Sequence, residues 1–194
     1  GERSTSEDIM KHEVSAVLSA SADACLGAGL DVGGPKMESI YRVECFGSDG
    51  LLKWVEEVHN TVVNAGLNDL LTQYFKGSAY TAAFFVGLKD TGTIAAADTM
   101  GSHGGWTEDS NYSNSTRPSL TLGSVSSQSV DNSASKAVFT ISGSTTIFGA
   151  FVTTNSTKGG TTGTLYGAAD FSSSRAVLSG DTLNVTVSLT ASAS

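Results

Sequence analysis

The sequence predicts a mainly β protein, an antiparallel β-sandwich or jelly-roll-like domain with one short helix and an extended N-terminal arm. Three observations carry that prediction. In Leu183-Asn184-Val185-Thr186-Val187-Ser188-Leu189 the leucines and valines share one face and the polar residues the other, the period of two that marks a half-buried antiparallel strand. Upstream, Ala137–Ile141, Thr145–Val152, Thr164–Ala168 and Ala176–Leu178 are short apolar runs parted by small-residue turns; they supply the strands against which that face finds a core. Charged residues make up 15% of the chain, below the usual quarter or so, so serine and threonine hydroxyls must cover the solvent faces.

Taken in order, residues 1–36 read as an arm or linker and residues 37–194 as the β-sandwich domain. Within the arm, Met10, Val14, Val17 and Leu18 lie at the spacing of one helical face. Gly27-Ala28-Gly29 and Gly33-Gly34-Pro35 interrupt any longer element. The segment reads equally as a solvated tail and as a tether that orders against a partner, with Met10, Val14 and Leu18 as its contact residues. Ile40–Phe46 and Leu51–Val58 are predicted to pair as a hairpin across Ser48-Asp49-Gly50, whose glycine supplies the positive φ of a tight turn. The period then becomes helical. Leu67, Leu70, Leu71, Tyr74 and Phe75 form one stripe and Gly77 suits a C-cap, so a helix over 66–75 is expected, its stripe packed on the sheet. Thr81–Leu88 is apolar on both faces, as a central strand is. Residues 89–118 lose regularity, Ser119–Val125 alternates again with Leu120 and Leu122 inward, and residues 126–135 read as a polar turn.

The formal net charge is −8 and the eleven Lys and Arg residues are scattered, which argues against a nucleic-acid partner. No apolar stretch is long enough to span a membrane. The opening residues lack the basic and apolar regions of a signal peptide, so release by lysis or on a particle is the expected route out of a cell. For Cys25 and Cys45, unpaired thiols are favoured over a disulfide, which stays open.

Catalytic patterns are sparse. His12, His59 and His103 show no zinc-type spacing with the cysteines. There is no Gly-x-Ser-x-Gly elbow, and Thr157–Thr161 lacks a phosphate-loop frame and reads as a hairpin turn. The glycosylation tripeptides at Asn111, Asn114, Asn155 and Asn184 are at chance level in a Ser/Thr-rich chain. No catalytic residue, metal or cofactor is assigned, and the chain is expected not to be an enzyme. His103 beside Glu108 and Asp109 is a weak acid–base candidate against a solvated loop. Trp106, Tyr112 and Tyr166 fall in or beside loops, where they either dock on a sugar or protein or cover the open end of the sandwich. His103, Trp106 and Tyr112 thus join the arm residues as candidate partner-binding positions.

Three blocks carry a resemblance. The first is Val62-Val63-Asn64-Ala65-Gly66-Leu67-Asn68-Asp69-Leu70-Leu71 leading to Tyr80-Thr81-Ala82-Ala83-Phe84-Phe85-Val86-Gly87-Leu88. The second is Gly101-Ser102-His103-Gly104-Gly105-Trp106-Thr107-Glu108, and the third runs from Gly163-Thr164-Leu165-Tyr166-Gly167 to Ser179-Gly180-Asp181-Thr182-Leu183-Asn184-Val185-Thr186-Val187. Their order, over residues 37–190, resembles tailed-bacteriophage virion structural proteins. The motifs are structural, and no catalytic residue is carried over. The resemblance implies a capsid decoration (cement) or head-fibre protein on the capsid surface of the virion. Its partner would be the major capsid protein, and it would act as a homo-oligomer, trimer or dimer, because sites on a shell repeat by symmetry. Binding only the assembled shell would stabilise it by mass action. The arm and residues 89–118 are expected to hold the contacts. The alternative is a tail-fibre or baseplate receptor-binding protein that holds glycans through Trp106 and Tyr112.

Overall fold

Two antiparallel five-stranded sheets face one another across a shared core in the computed structural model, which describes residues 36–76 and 83–192. The elements are β1 Lys36–Phe46, β2 Leu52–His59, β3 Thr61–Val62, α1 Asn64–Phe75, β4 Phe85–Gly92, β5 Trp106–Asp109, β6 Ser129–Asp131, β7 Ala137–Thr140, β8 Thr145–Thr153, β9 Leu165–Val177 and β10 Thr182–Ser192. One sheet runs β2-β1-β10, with β6 and β7 both pairing with β10. The other runs β3-β9-β8-β4-β5. The mainly β, sandwich-like class expected from the alternation is therefore the observed one, with α1 the α-helix among the described residues. Met10, Val14, Leu18, Cys25, Gly77 and the start of the Thr81–Leu88 run lie outside the described residues.

The alternating residues fill the core. Leu183, Val185 and Val187 of β10 are buried with Tyr41, Val43 and Phe139 of their own sheet and with Val86, Leu88 and Ile147 of the facing one. The β1–β2 hairpin closes as expected: Gly50 has φ +77°, and the Gly47 N–H donates to the Leu51 carbonyl at 2.8 Å. β4 is interior to its sheet, between β8 and β5.

Four expectations need correction. First, the runs Thr164–Ala168 and Ala176–Leu178 merge, but for their end residues Thr164 and Leu178, into one strand, β9. Its register jumps from Asp170 opposite Gly149 to Arg175 opposite Ile147, so residues 171–174 bulge out of the ladder. The bulge brings polar residues to buried Glu56 of β2. Ser172 Oγ donates to that carboxylate at 3.1 Å and Arg175 Nε at 2.7 Å, while the Arg175 guanidinium lies 5.9 Å above the Trp54 ring. A turn-like run of serines is thus the clasp that joins the two sheets along one side.

Second, residues 126–135 are not merely a turn. They hold β6 and one turn of 3₁₀ helix at Ser133–Ser135. Between β6 and β7, the buried Asn132 side chain takes the place of a strand backbone: Oδ1 accepts from Val187 N–H at 2.7 Å and Nδ2 donates to the Val185 carbonyl at 3.2 Å. Third, Ser119–Val125 pairs with β4 only at its start, through the Ser119–Phe85 bridge and the Leu120 N–H to Phe84 carbonyl bond of 2.8 Å. Leu120 is buried there and Leu122 packs partly buried against the core, so both face inward as expected, while Val125 is exposed.

Fourth, α1 forms where its periodicity places it, but its apolar stripe does not pack on the sheet. Leu67, Leu70, Leu71, Tyr74 and Phe75 are all exposed, and the helix's buried residue is Gly66. A Cβ built on Gly66 collides with the Tyr166 carbonyl and comes 2.9 Å from its Cα. The absence of a side chain there lets the helix backbone sit directly on β9.

Cys45 is buried and unpaired, and its thiol donates to Asp181 Oδ2 at 3.7 Å. Burial, then the Asp181 charge, pushes the thiol up to about 12. Asp181 also accepts from Lys53 Nζ at 2.5 Å and from the Leu178 N–H at 2.9 Å. Burial opposes its ionisation, but the Leu178 amide and the Lys53 ammonium outweigh it and hold the carboxyl below its ordinary value.

Gly66→Ala is expected to destabilise the protein by about 1–3 kcal/mol through overpacking, even though alanine favours an isolated helix by about 1 kcal/mol. Denaturant unfolding measures the sign, and amide exchange along α1 should accelerate. Asp181 contributes stability above its unfolded pKa and loses it as pH falls through its lower folded value. Stability should therefore decline from about pH 4 downward. In Asp181→Asn the midpoint at neutral pH should fall and this acid-dependent decline should flatten, as read by urea titrations across pH.

Candidate functional site

Residues 89–118 hold less open loop than their composition suggests. β4 runs to Gly92 and β5 pairs back on it, with Leu88 opposite Asp109. The connection between them folds over the outer face of the second sheet, where Met100 and Trp106 pack with Phe151, Leu165 and Ala168. Trp106 is only 3% exposed and Tyr112 only 1%. The expectation of aromatic docking residues at these positions is therefore corrected: neither ring offers a stacking platform. Tyr166 is buried as well. A loop aromatic looks exposed in sequence, but here Tyr112 and Tyr166 fill the core between the sheets while Trp106 joins the outer apolar layer.

This layer is held by polar side chains that replace missing ladder bonds. Trp106 Nε1 donates to Asp98 Oδ2 at 2.9 Å, and the same oxygen accepts from the Ala95 N–H at 2.9 Å. The half-buried His103 ring stacks on Trp106 with centroids 4.2 Å apart, and its Nδ1 lies 3.0 Å from the Trp106 carbonyl. Arg117 is fully buried. Its guanidinium grips Glu108 from Nε at 3.0 Å and Nη2 at 2.7 Å, and it donates to the carbonyls of Asn155 at 2.9 Å and Gly160 at 2.8 Å. Glu108 also accepts from the Tyr112 hydroxyl at 3.2 Å and the Gly159 N–H at 2.8 Å. Burial, reinforced by the Glu108 charge, raises the Tyr112 hydroxyl above its ordinary pKa.

His103, Trp106 and Glu108 border one cavity of about 240 Å³. Glu108 is occupied by Arg117, and Asp109 accepts from the Asn111 N–H at 2.8 Å and Thr145 Oγ1 at 2.7 Å. Both carboxylates are engaged by internal partners, and His103 Nδ1 lies against the Trp106 carbonyl. Among the described residues no group of three His, Cys, Asp or Glu side chains is arranged to hold a metal ion.

The surface that stands out lies at the α1 end. Tyr74 is 79% exposed and Phe75 74%, and the two rings pack edge to face at 5.0 Å instead of on the sheet. Beside the helix the two sheets part in a cleft of about 360 Å³, lined by Leu70, Phe84 and Val152 on one side and Met37, Val130 and Leu189 on the other. A second cavity, of about 200 Å³, lies beneath the helix between Gln73, Tyr74, Phe84 and Tyr166. The helical stripe was legible in sequence, but not its exposure, because an apolar stripe has the same periodicity whether it meets a core or a partner.

Glu108→Gln should lower stability by about 3 kcal/mol, because the buried Arg117 charge loses its counter-charge; calorimetric unfolding checks this, and a change under about 0.5 kcal/mol, as at an ordinary surface site, would contradict the assignment. Comparison with protein-family models, with curated proteins and with solved structures finds no match to this chain.

Proposed function

We propose that the chain is a structural, non-enzymatic protein of a tailed-bacteriophage virion: a capsid decoration protein that docks on the coat-protein shell through the exposed stripe of α1. The observation that carries the docking surface is five large apolar side chains exposed on one helix, Leu67, Leu70, Leu71, Tyr74 and Phe75. An apolar helix face of this kind suits a groove on a partner. The carboxylates of the β5 region are consumed by internal bonds, which supports binding over catalysis. The virion assignment rests on the sequence resemblance. On this reading the 89–118 loop builds the domain, and α1 supplies the shell contact expected of that loop.

Quantitative mass spectrometry of purified virions should give a copy number comparable to the coat protein. A handful of copies would favour the tail-fibre or baseplate alternative, and absence from particles would end the virion reading. Leu71→Glu combined with Phe75→Glu should leave the unfolding midpoint nearly unchanged, since both positions are exposed. The same pair should weaken co-sedimentation with shells about 100-fold or more if these are central anchors.

A further inference from the structure

We propose that the inter-sheet cleft at the α1 end binds a single-chain amphiphile: an aliphatic tail with a head that donates a hydrogen bond and carries no negative charge. The tail follows from the cleft. Its lining is mostly apolar, Leu70, Phe84, Leu120, Val152 and Leu189 among it, with Gln128 and Ser129 also bordering it, and its volume is about 360 Å³. Ligand pockets begin at about 300 Å³, so the cleft has room for an alkyl chain. A hydrocarbon chain seated against these side chains removes apolar surface from water on both partners.

The head follows from Gln73. Its Nε2 donates to Asp69 Oδ1 at 3.2 Å, which fixes the orientation of the amide. Its Oε1 is buried and has no hydrogen-bond partner. Gln73 and Asp69 line the smaller cavity, which adjoins the cleft across the shared residues Leu70, Phe84 and Tyr166. An unpartnered buried acceptor is unfavourable, and a hydroxyl or ammonium head relieves it. The Asp69 carboxylate beside it favours a cationic or neutral head and repels an anionic one.

The test titrates the free chain with the neutral fluorophore N-phenyl-1-naphthylamine, then displaces it with dodecanol, dodecylamine or dodecanoate. Saturable binding at one site is expected, with dodecanol and dodecylamine displacing the probe and dodecanoate about tenfold weaker or worse. Gln73→Leu should weaken dodecanol about fivefold while probe binding persists. Methyl chemical-shift mapping of the wild-type chain with dodecanol should place the perturbed groups at Val130, Val152 and Leu189. Absence of saturable binding, dodecanoate binding as tightly as dodecanol, or perturbation confined to the exposed face of α1 would overturn the proposal. The assay involves no shell, so its outcome is independent of the virion reading.

Discussion

The pairing of β1 with β10 is the constraint on which the rest of the domain depends. It runs unbroken from Lys36 opposite Ser192 to Phe46 opposite Thr182. Every other strand of that sheet attaches to one of these two, β2 to β1 and β6 and β7 to β10. Tyr41, Val43 and Cys45 lie opposite Val187, Val185 and Leu183, and all six are buried in the shared core. The two strands are far apart in sequence, so closing this ladder carries a large loop entropy that many contacts must jointly offset. Tyr41 extends the constraint across the sandwich: its hydroxyl donates to the Gly167 carbonyl of β9 at 3.3 Å and accepts from Asn60 Nδ2 at 2.7 Å.

A chain with few charges has placed several of them inside, each at a junction. Glu56 with Arg175 joins the sheets along β2 and β9. Asp181 with Lys53 ties the β9–β10 turn to β2, and Lys136 reaches Glu44 at 2.5 Å. The Lys136 contact, more than any other, holds the Glu44 carboxyl below its ordinary value. Fully buried Lys89 bonds Asp170 at 2.7 Å and caps the Asp90 carbonyl at 3.1 Å. Glu108 with Arg117 closes the loop layer on the second sheet. Arg117, Lys89 and Asp181 also bond backbone groups outside the ladders, so one charged, multivalent side chain satisfies several partners at once. Such pairs define geometry more than they add net stability, because desolvation offsets much of the attraction.

The two ends of β1 and β10 differ in character. At the Phe46 and Thr182 end, Asp181 gathers Lys53, Cys45 and the Leu178 amide into a closed knot. At the Lys36 and Ser192 end the sheets part, Leu189 is only partly buried, and the α1 stripe faces outward. A core that was left open at one end while pinned at the other is the physical basis for placing both the docking surface and the apolar site there. The aromatic loop, which composition made the natural candidate, instead serves as the outer cover of the second sheet.

Much of the sandwich was legible in the residues. Alternation in Leu183–Leu189, the Asp49-Gly50 turn and the switch to helical period at Leu67 each reflect a local rule, with a side-chain period or a backbone conformation set by nearest neighbours. Less legible were the merging of two runs into β9, the strand-like role of Asn132, the burial of Trp106 and Tyr112, and the exposure of the α1 stripe. Each depends on what a distant segment presents: Glu56 to the β9 bulge, the β10 backbone to Asn132, Phe151 to Trp106, and the Tyr166 backbone to Gly66. Local residue order sets which segments become strands and helix and which of their faces are apolar. Which of those faces are covered depends on how distant segments meet, because burial is a property of pairs of surfaces and periodicity describes one surface at a time.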